Sequence, residues 1–239
     1  MTNQLLRSLL DSIFPPHCVA CNKNTRTDCW FCKDCLELIE LIQIDPCFAC
    51  GSVKREHDCK RAGDVQLTSL TSIGYYHDPR LRALIRSVKY RYVTKLAPSL
   101  DALIRRYAET RRDPWPWAGE SAISIQPVIG SPERIRARGF DQAAMVGECL
   151  RRTVVPWGKE SSLLSRSSSM SAQADLAPGV YRKANVKDAF QIRKDVEIPE
   201  AVLLTDDVFT TGATMQEAAR VLREAGVKRV YGFTLALGA

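Results

Sequence analysis

The sequence predicts an α/β domain, a parallel sheet flanked by helices, with a small cysteine-rich metal module in front of it. Three observations predict this. All but one of the nine cysteines fall within residues 18–59. Beyond residue 62, apolar runs alternate with amphipathic stretches, as in strand–helix units. Residues 201–237 read strand, helix, strand, a βαβ unit whose strands must lie parallel. The division expected is residues 1–62 for the module and 63–239 for the α/β domain.

The chain has 239 residues, 45% of them hydrophobic, enough for a sizeable core. Its net charge of +7 suits an acidic partner, a phosphorylated metabolite or a nucleic acid, and suits a plain solvated basic surface equally well. The opening NQLLRSLLDSIFPP is interrupted by Arg7 and Asp11, so its apolar run is too short for a signal core or a membrane span. Leu5, Leu6, Leu9, Leu10 and Ile13 recur at helical spacing and predict a short amphipathic helix ended near Pro15. A cytoplasmic protein is expected. In a reducing compartment its cysteines call for an explanation other than disulfides.

Cys18-Val-Ala-Cys21, Cys32-Lys-Asp-Cys35 and Cys47-Phe-Ala-Cys50 are CxxC knuckles. Each such turn presents two thiolates to a tetrahedral ion, and two turns complete a structural zinc site. Cys18, Cys21, Cys32 and Cys35 form one complete set. Cys47, Cys50 and Cys59 need a fourth ligand, for which His57 is the nearest candidate. Cys29-Trp-Phe-Cys32 is a further CxxC, so the pairing stays open. Gly51 suits the tight backbone after a knuckle. Redox chemistry is the rival, but no strand–helix unit surrounds these cysteines. Cys149, alone in a helical pattern, reads as a buried thiol.

In the α/β part, residues 68–76 predict a strand. Leu81, Leu84, Ile85, Val88 and Tyr92 form the apolar face of a helix beginning at Arg80. Arg82, Arg86 and Lys89 share another face. Residues 111–120 are a turn-rich connection, 122–129 a strand and 140–153 a helix. The serine-rich residues 161–177 read as a mobile loop. A short strand over 201–204, a helix over 213–225 stopped by Gly226, and a strand over 229–237 complete the chain.

Between the last strand–helix pair stands LLTDDVFTTGAT, residues 203–214. Helix-terminal N–H groups are unpaired there and the helix dipole is positive, so Thr210, Thr211, Gly212, Ala213 and Thr214 can wrap a phosphate. Thr214 with Glu217 matches a capping box. Asp206 and Asp207, at the carboxyl end of the strand, are placed to accept hydrogen bonds from vicinal hydroxyls. A ribose 5-phosphate meets both demands. The lysine of a nucleoside-triphosphate loop is missing, which disfavours ATP hydrolysis.

This stretch resembles the 5-phosphoribosyl 1-pyrophosphate (PRPP) motif of type I phosphoribosyltransferases: apolar residues, two acids, then T-T/S-G-x-T. Cysteine knuckles ahead of such a domain are similar to the ComF family. Leu84-Ile-Arg-Ser-Val-Lys89-Tyr90, Arg138-Gly-Phe-Asp-Gln142, Gln173, Arg182-Lys-Ala-Asn185 and Ala189-Phe190 fit that family too. The chain departs from it at residues 125–130 (IQPVIG), where a P-x-P pattern is usual, and in lacking a final cysteine after Cys59.

The resemblance implies PRPP binding with Mg²⁺, the 5-phosphate on residues 210–214 and the ribose hydroxyls on Asp206 and Asp207. Arg134, Arg136 and Arg138 near Gly139, with Lys89, are candidates for the pyrophosphate, and a solvated basic loop is the alternative. Residues 161–177 would close as a lid, with Arg166 as a phosphate contact. The resemblance further implies a role in handling single-stranded DNA during natural transformation. Three functions stay open: phosphoribosyl transfer to an unidentified acceptor, nucleic-acid binding, and a non-catalytic adaptor that senses PRPP or docks a helicase-like or recombination partner.

Overall fold

The computed structural model describes residues 16–25, 30–53, 59, 63, 65–90, 93–166 and 188–238. The helix expected near the N-terminus lies outside them, as do Cys29, His57, Gln173 and the segment 182–185. In chain order the elements are α1 (Lys33–Glu37), β1 (Ser69–Tyr75), α2 (Pro79–Tyr90), α3 (Val93–Thr110), β2 (Ser124–Pro127), α4 (Pro132–Arg138) and α5 (Gln142–Thr153). They continue with β3 (Lys159–Glu160), β4 (Leu164–Arg166), β5 (Phe190–Ile192), β6 (Ala201–Phe209), α6 (Ala213–Glu224) and β7 (Arg229–Leu237).

The sheet has five strands in the order β1–β7–β6–β2–β3, every neighbouring pair parallel. β6 and β7, the most apolar runs, occupy its middle and are buried along most of their length. One face carries α2, α3 and α5 over a cluster that includes Ile73, Leu103, Leu150, Leu203 and Phe233. The other carries α6 and the antiparallel pair β4–β5 over a cluster with Leu70, Val202, Leu204, Met215 and Phe190. Gly147 lets α5 lie close on β6: an added Cβ would stand 3.0 Å from Thr205 Oγ1. Thr205 Oγ1 donates to the Ala143 carbonyl at 2.9 Å, which fixes the start of α5 beside the carboxyl half of β6.

Local signals explain the starts of α2 and α5. Asp78 accepts from the amides of Arg80 and Leu81, with Pro79 as first helical residue of α2. Asp141 accepts from Ala143 N at 2.9 Å to cap α5. Four expectations need correction. β6 runs on through Asp206 and Asp207 to Phe209, because the ladder to β7 continues there. Arg134, Arg136 and Arg138 lie on helix α4, not on a loop. Part of the serine-rich loop, Leu164–Arg166, is a strand paired to Phe190–Ile192. The capping box of Thr214 does not form: the N-cap of α6 is Gly212, two residues before Thr214, and Glu217 turns instead to Asp188 N at 2.7 Å and Arg220 at 2.7 Å.

The cysteine segment is bound into this body. Arg106 of α3 donates to the carbonyls of Leu36, Glu37 and Ile39, meeting the acceptors that the end of α1 leaves open. Leu41 bridges Gly74 antiparallel, and Ile42 N donates to Ile73 O at 2.8 Å. Asp45 accepts from Thr71 at 2.9 Å and from Arg111 at 2.8 Å, and Arg111 lies 5.0 Å from the Trp115 ring centre.

Glu120 accepts from Arg229 Nη2 at 2.9 Å and from the Tyr231 hydroxyl at 2.6 Å. The Arg229 bond, reinforced by Tyr231, holds its carboxyl below the ordinary carboxylate range despite burial. A carboxylate with a depressed folded pKa stabilises above its unfolded pKa and loses that contribution as pH falls through the folded one. The stability gap between wild type and Glu120→Gln should therefore be flat from neutral pH to about pH 5 and narrow as acid is added further, in urea unfolding series. A gap independent of pH down to about 3 contradicts this.

Candidate functional site: an uncapped turn beside a cysteine module

Cys18, Cys21, Cys32 and Cys35 bring their sulfurs within 4.8 Å of one another. Zn–S bonds of about 2.3 Å in a tetrahedron place sulfurs about 3.8 Å apart, and Cys21 and Cys32 stand 3.7 Å apart. The amides of Cys32 and Cys35 donate to the sulfurs of Cys18 and Cys32, both at 3.4 Å. Burial disfavours the Cys18 thiolate, but the N–H groups of Cys32, Cys21 and Ala20 outweigh it and lower its pKa to about 7. Burial pushes the Cys35 thiol up. A metal ion is what would offset clustering four such groups. The donor set and spacing fit zinc.

Cys47, Cys50 and Cys59 form a second cluster within the same 4.8 Å limit, with Cys47 and Cys59 3.8 Å apart. Gly51 takes φ 77° after the knuckle, as expected, and its N–H meets the Cys47 carbonyl at 2.6 Å. His57, the expected fourth ligand, lies outside the described residues. Cys149 is a buried thiol, with its pKa raised to about 12 chiefly by burial.

At the carboxyl end of β6 the chain turns through exposed Thr210 and Thr211 to buried Gly212 and enters α6. Gly212 occupies the N-cap at φ 73°, and no side chain caps it. An added Cβ would sit 2.2 Å from Phe209 Cζ, so the turn closes directly over the Phe209 ring. Thr211 Oγ1 accepts weakly from Ala213 N at 3.4 Å. A small open concavity results, lined by Asp206 and residues 208–215. Asp206 therefore joins the threonines. Successive strand residues face opposite ways, and Asp207 does not line the concavity; its amide donates to Asp206 Oδ1 at 2.8 Å.

The other candidates are more scattered. On α4, Arg134 and Arg138 are one turn apart. Arg138 donates to Gln142 Oε1 at 2.5 Å, while Arg136 pairs with Glu133 at 3.5 Å in solvent. Arg166 donates to the Ile129 carbonyl at 2.9 Å and lies 5.2 Å from the Phe190 ring centre, which ties β4 to the segment after β2. Lys89 is near the end of α2, and Arg82 and Arg86 on that helix are exposed. Residues 167–177 of the expected lid lie outside the described residues.

Two features escaped the sequence reading. Gln126 is buried in β2, accepts from Leu163 N at 2.6 Å and donates to Pro127 O at 2.7 Å, so the departure from a P-x-P pattern supplies a bracket for the chain before β4. An amide in the middle of an apolar strand is the signal that points to it. Phe209 is the other: a large ring immediately before Thr-Thr-Gly, in a place where the backbone needs a floor.

These features define an α/β protein with a parallel sheet, an uncapped Thr-Thr-Gly turn and an N-terminal cysteine module. Residues 9–65 match the double zinc ribbon domain. Over 209 residues, 87% of this chain and 88% of the relative, the sequence is 26% identical to competence protein ComFC of Streptococcus pneumoniae. It is 28% identical over 215 residues (89% and 86%) to the DNA utilization protein YhgH of Shigella flexneri. A shorter match, 33% over 112 residues (46% and 54%), is to adenine phosphoribosyltransferase of Bradyrhizobium sp. ORS 278. The chain is a homologue of the competence and DNA utilization proteins, as its cysteine knuckles and motifs led us to expect. Among the described residues no helix is long and apolar enough to cross a membrane.

Replacing Cys32 by serine should lower the zinc content by about one ion per chain, since it removes one of four thiolates from a closed structural site. Elemental analysis of the purified full chain checks this, and an unchanged zinc content contradicts the assignment.

Proposed function

We propose that the protein binds PRPP with Mg²⁺ at the β6–α6 turn, as a phosphoribosyltransferase-type protein working in the cytoplasm on incoming DNA. The observation that carries this reading is the turn itself. The N-terminus of a twelve-residue helix opens without a side-chain cap into a concavity lined by threonine hydroxyls and one carboxylate. Such a helix end attracts a phosphate through its N–H groups and dipole. The carboxylate repels phosphate but accepts from hydroxyls, so a ligand carrying both groups satisfies both. The names of the curated relatives, competence and DNA utilization, support the DNA link.

Residues 210–214 take the 5-phosphate, and Asp206, with Asp207 behind it, takes the ribose hydroxyls. Asp206, with Asp207 behind it, would be the protein side of a Mg²⁺ ion held largely by the substrate's own oxygens, which would supply charge neutralisation for the leaving pyrophosphate. Transfer places positive character on the ribose C1 as pyrophosphate leaves, so the chain's task is to hold the sugar still and keep water away. Arg134 and Arg138 of α4 are assigned to the pyrophosphate, with Lys89 as a further cation and Arg166 holding the segment after β2.

The exposed Arg82 and Arg86 of α2 favour a second reading, a single-stranded DNA-binding adaptor that docks a helicase-like or recombination partner. Oligonucleotide binding that weakens with salt and is lost on charge reversal at both positions would select it.

Mg²⁺–PRPP should raise the melting temperature of the wild type and leave the Asp206→Ala/Asp207→Ala double variant unmoved. The comparison is made at one ligand concentration, because the shift scales with ligand over Kd. Equal shifts in both proteins contradict the assignment.

A further inference from the structure

The two cysteine clusters attach to different faces of the sheet. Cys18, Phe31, Cys35 and Ile39 belong to the core under α2, α3 and α5. Phe48, inside the Cys47–Cys50 knuckle, packs instead on the opposite cluster, the one that holds Phe209 and Met215. Its ring meets Phe209 edge-on, with centroids 6.5 Å apart and planes at 82°. Edge-to-face geometry is the favourable one for aromatic pairs. Phe209 in turn lies under Gly212 so closely that a Cβ there would stand 2.2 Å from its ring. A continuous stack therefore runs from the second knuckle, through two rings, to the floor of the phosphate turn.

The knuckle is stiff where Phe48 leaves it. Cys47 N donates to Ser52 O at 2.7 Å, and Cys50 N and Gly51 N donate to Cys47 O at 3.2 and 2.6 Å. Metal held by Cys47, Cys50 and Cys59 would clamp the same loop. Phe48 is only half-buried, at the rim of the cluster it packs against. Its one aromatic partner among the described residues is Phe209.

We propose that Phe48 is a positioning residue for the phosphate turn: held by the second cysteine cluster, it presses on Phe209 and so keeps Gly212 and the first amides of α6 in binding geometry. This rests on the PRPP reading for the identity of the ligand, but the link between knuckle and turn stands on packing alone. The second cysteine cluster then serves the ligand site, whereas the first serves the attachment of the module. Loss of metal from Cys47, Cys50 and Cys59 would loosen the turn at the carboxyl end of β6 without unfolding the α/β body.

The test uses the full-length, zinc-loaded chain as wild type, Phe48→Ala and Phe48→Leu, with two readouts. Hydrogen exchange without ligand is followed over residues 209–215 and over α3, and Mg²⁺–PRPP is titrated calorimetrically. Phe48→Ala should speed exchange in 209–215, leave α3 as in wild type, and weaken PRPP binding by about two- to tenfold, the range expected for losing one aromatic pair. Phe48→Leu, which keeps the apolar contact, should recover most of both. Unchanged exchange in 209–215 in Phe48→Ala overturns the proposal, as does an equal rise throughout α3. Failure of the wild type to bind PRPP would count against the proposed function, while the ligand-free exchange still decides the role of Phe48.

Discussion

Everything at the candidate site depends on how β6 becomes α6. The strand delivers a large ring, Phe209, and three residues later the backbone must cross over that ring. Only a residue without a Cβ fits there, and it must take a left-handed φ of 73°. With glycine at the N-cap, that position offers no capping side chain, and only Thr211 Oγ1 reaches weakly, at 3.4 Å, to the first helical N–H, that of Ala213. The same steric demand that closes the turn thus leaves a positive, donor-rich end open to an anion.

The surrounding fold holds that turn in place from several sides. β6 and β7 pair parallel up to Phe209 and Leu237, and Gly238 N still donates to Phe209 O at 2.7 Å beyond the strand. α5 is locked beside β6 by the bond from Thr205 to the Ala143 carbonyl. The cysteine module is more than an appendage. Arg106 caps its helix, Asp45 meets Arg111 and Thr71, and its apolar residues complete the core on one face. A buried pair such as Asp45–Arg111 is a costly way to gain stability but an effective way to fix one arrangement of two parts.

Legibility in the sequence followed the reach of the interactions involved. β7 and α6 were readable almost to the residue, because their apolar patterns are local and strong. The complete cysteine set was readable because a tetrahedral ion constrains spacing. β6 appeared short because Asp206 and Asp207 have poor strand propensity, and only the ladder to β7 overrides it. α3 went unassigned since Pro98 interrupts its pattern, although the helix continues through it. β4 was hidden in a serine-rich stretch because its partner, β5, lies far along the chain. The acids and the threonine turn were evident as a motif, but the split between them was not: whether Asp206 or Asp207 faces the concavity is set by strand parity and the true end of β6. The Phe48–Phe209 contact joins residues far apart in sequence, and no local pattern marks it.

The most direct test of the central claim is a crystal structure of the full chain soaked with ribose 5-phosphate. The account predicts the phosphorus atom cupped by the backbone N–H groups of residues 211–214, with the ribose hydroxyls turned toward Asp206. Phosphate density elsewhere, or a turn that stays empty at a concentration where solution binding is saturated, would contradict it.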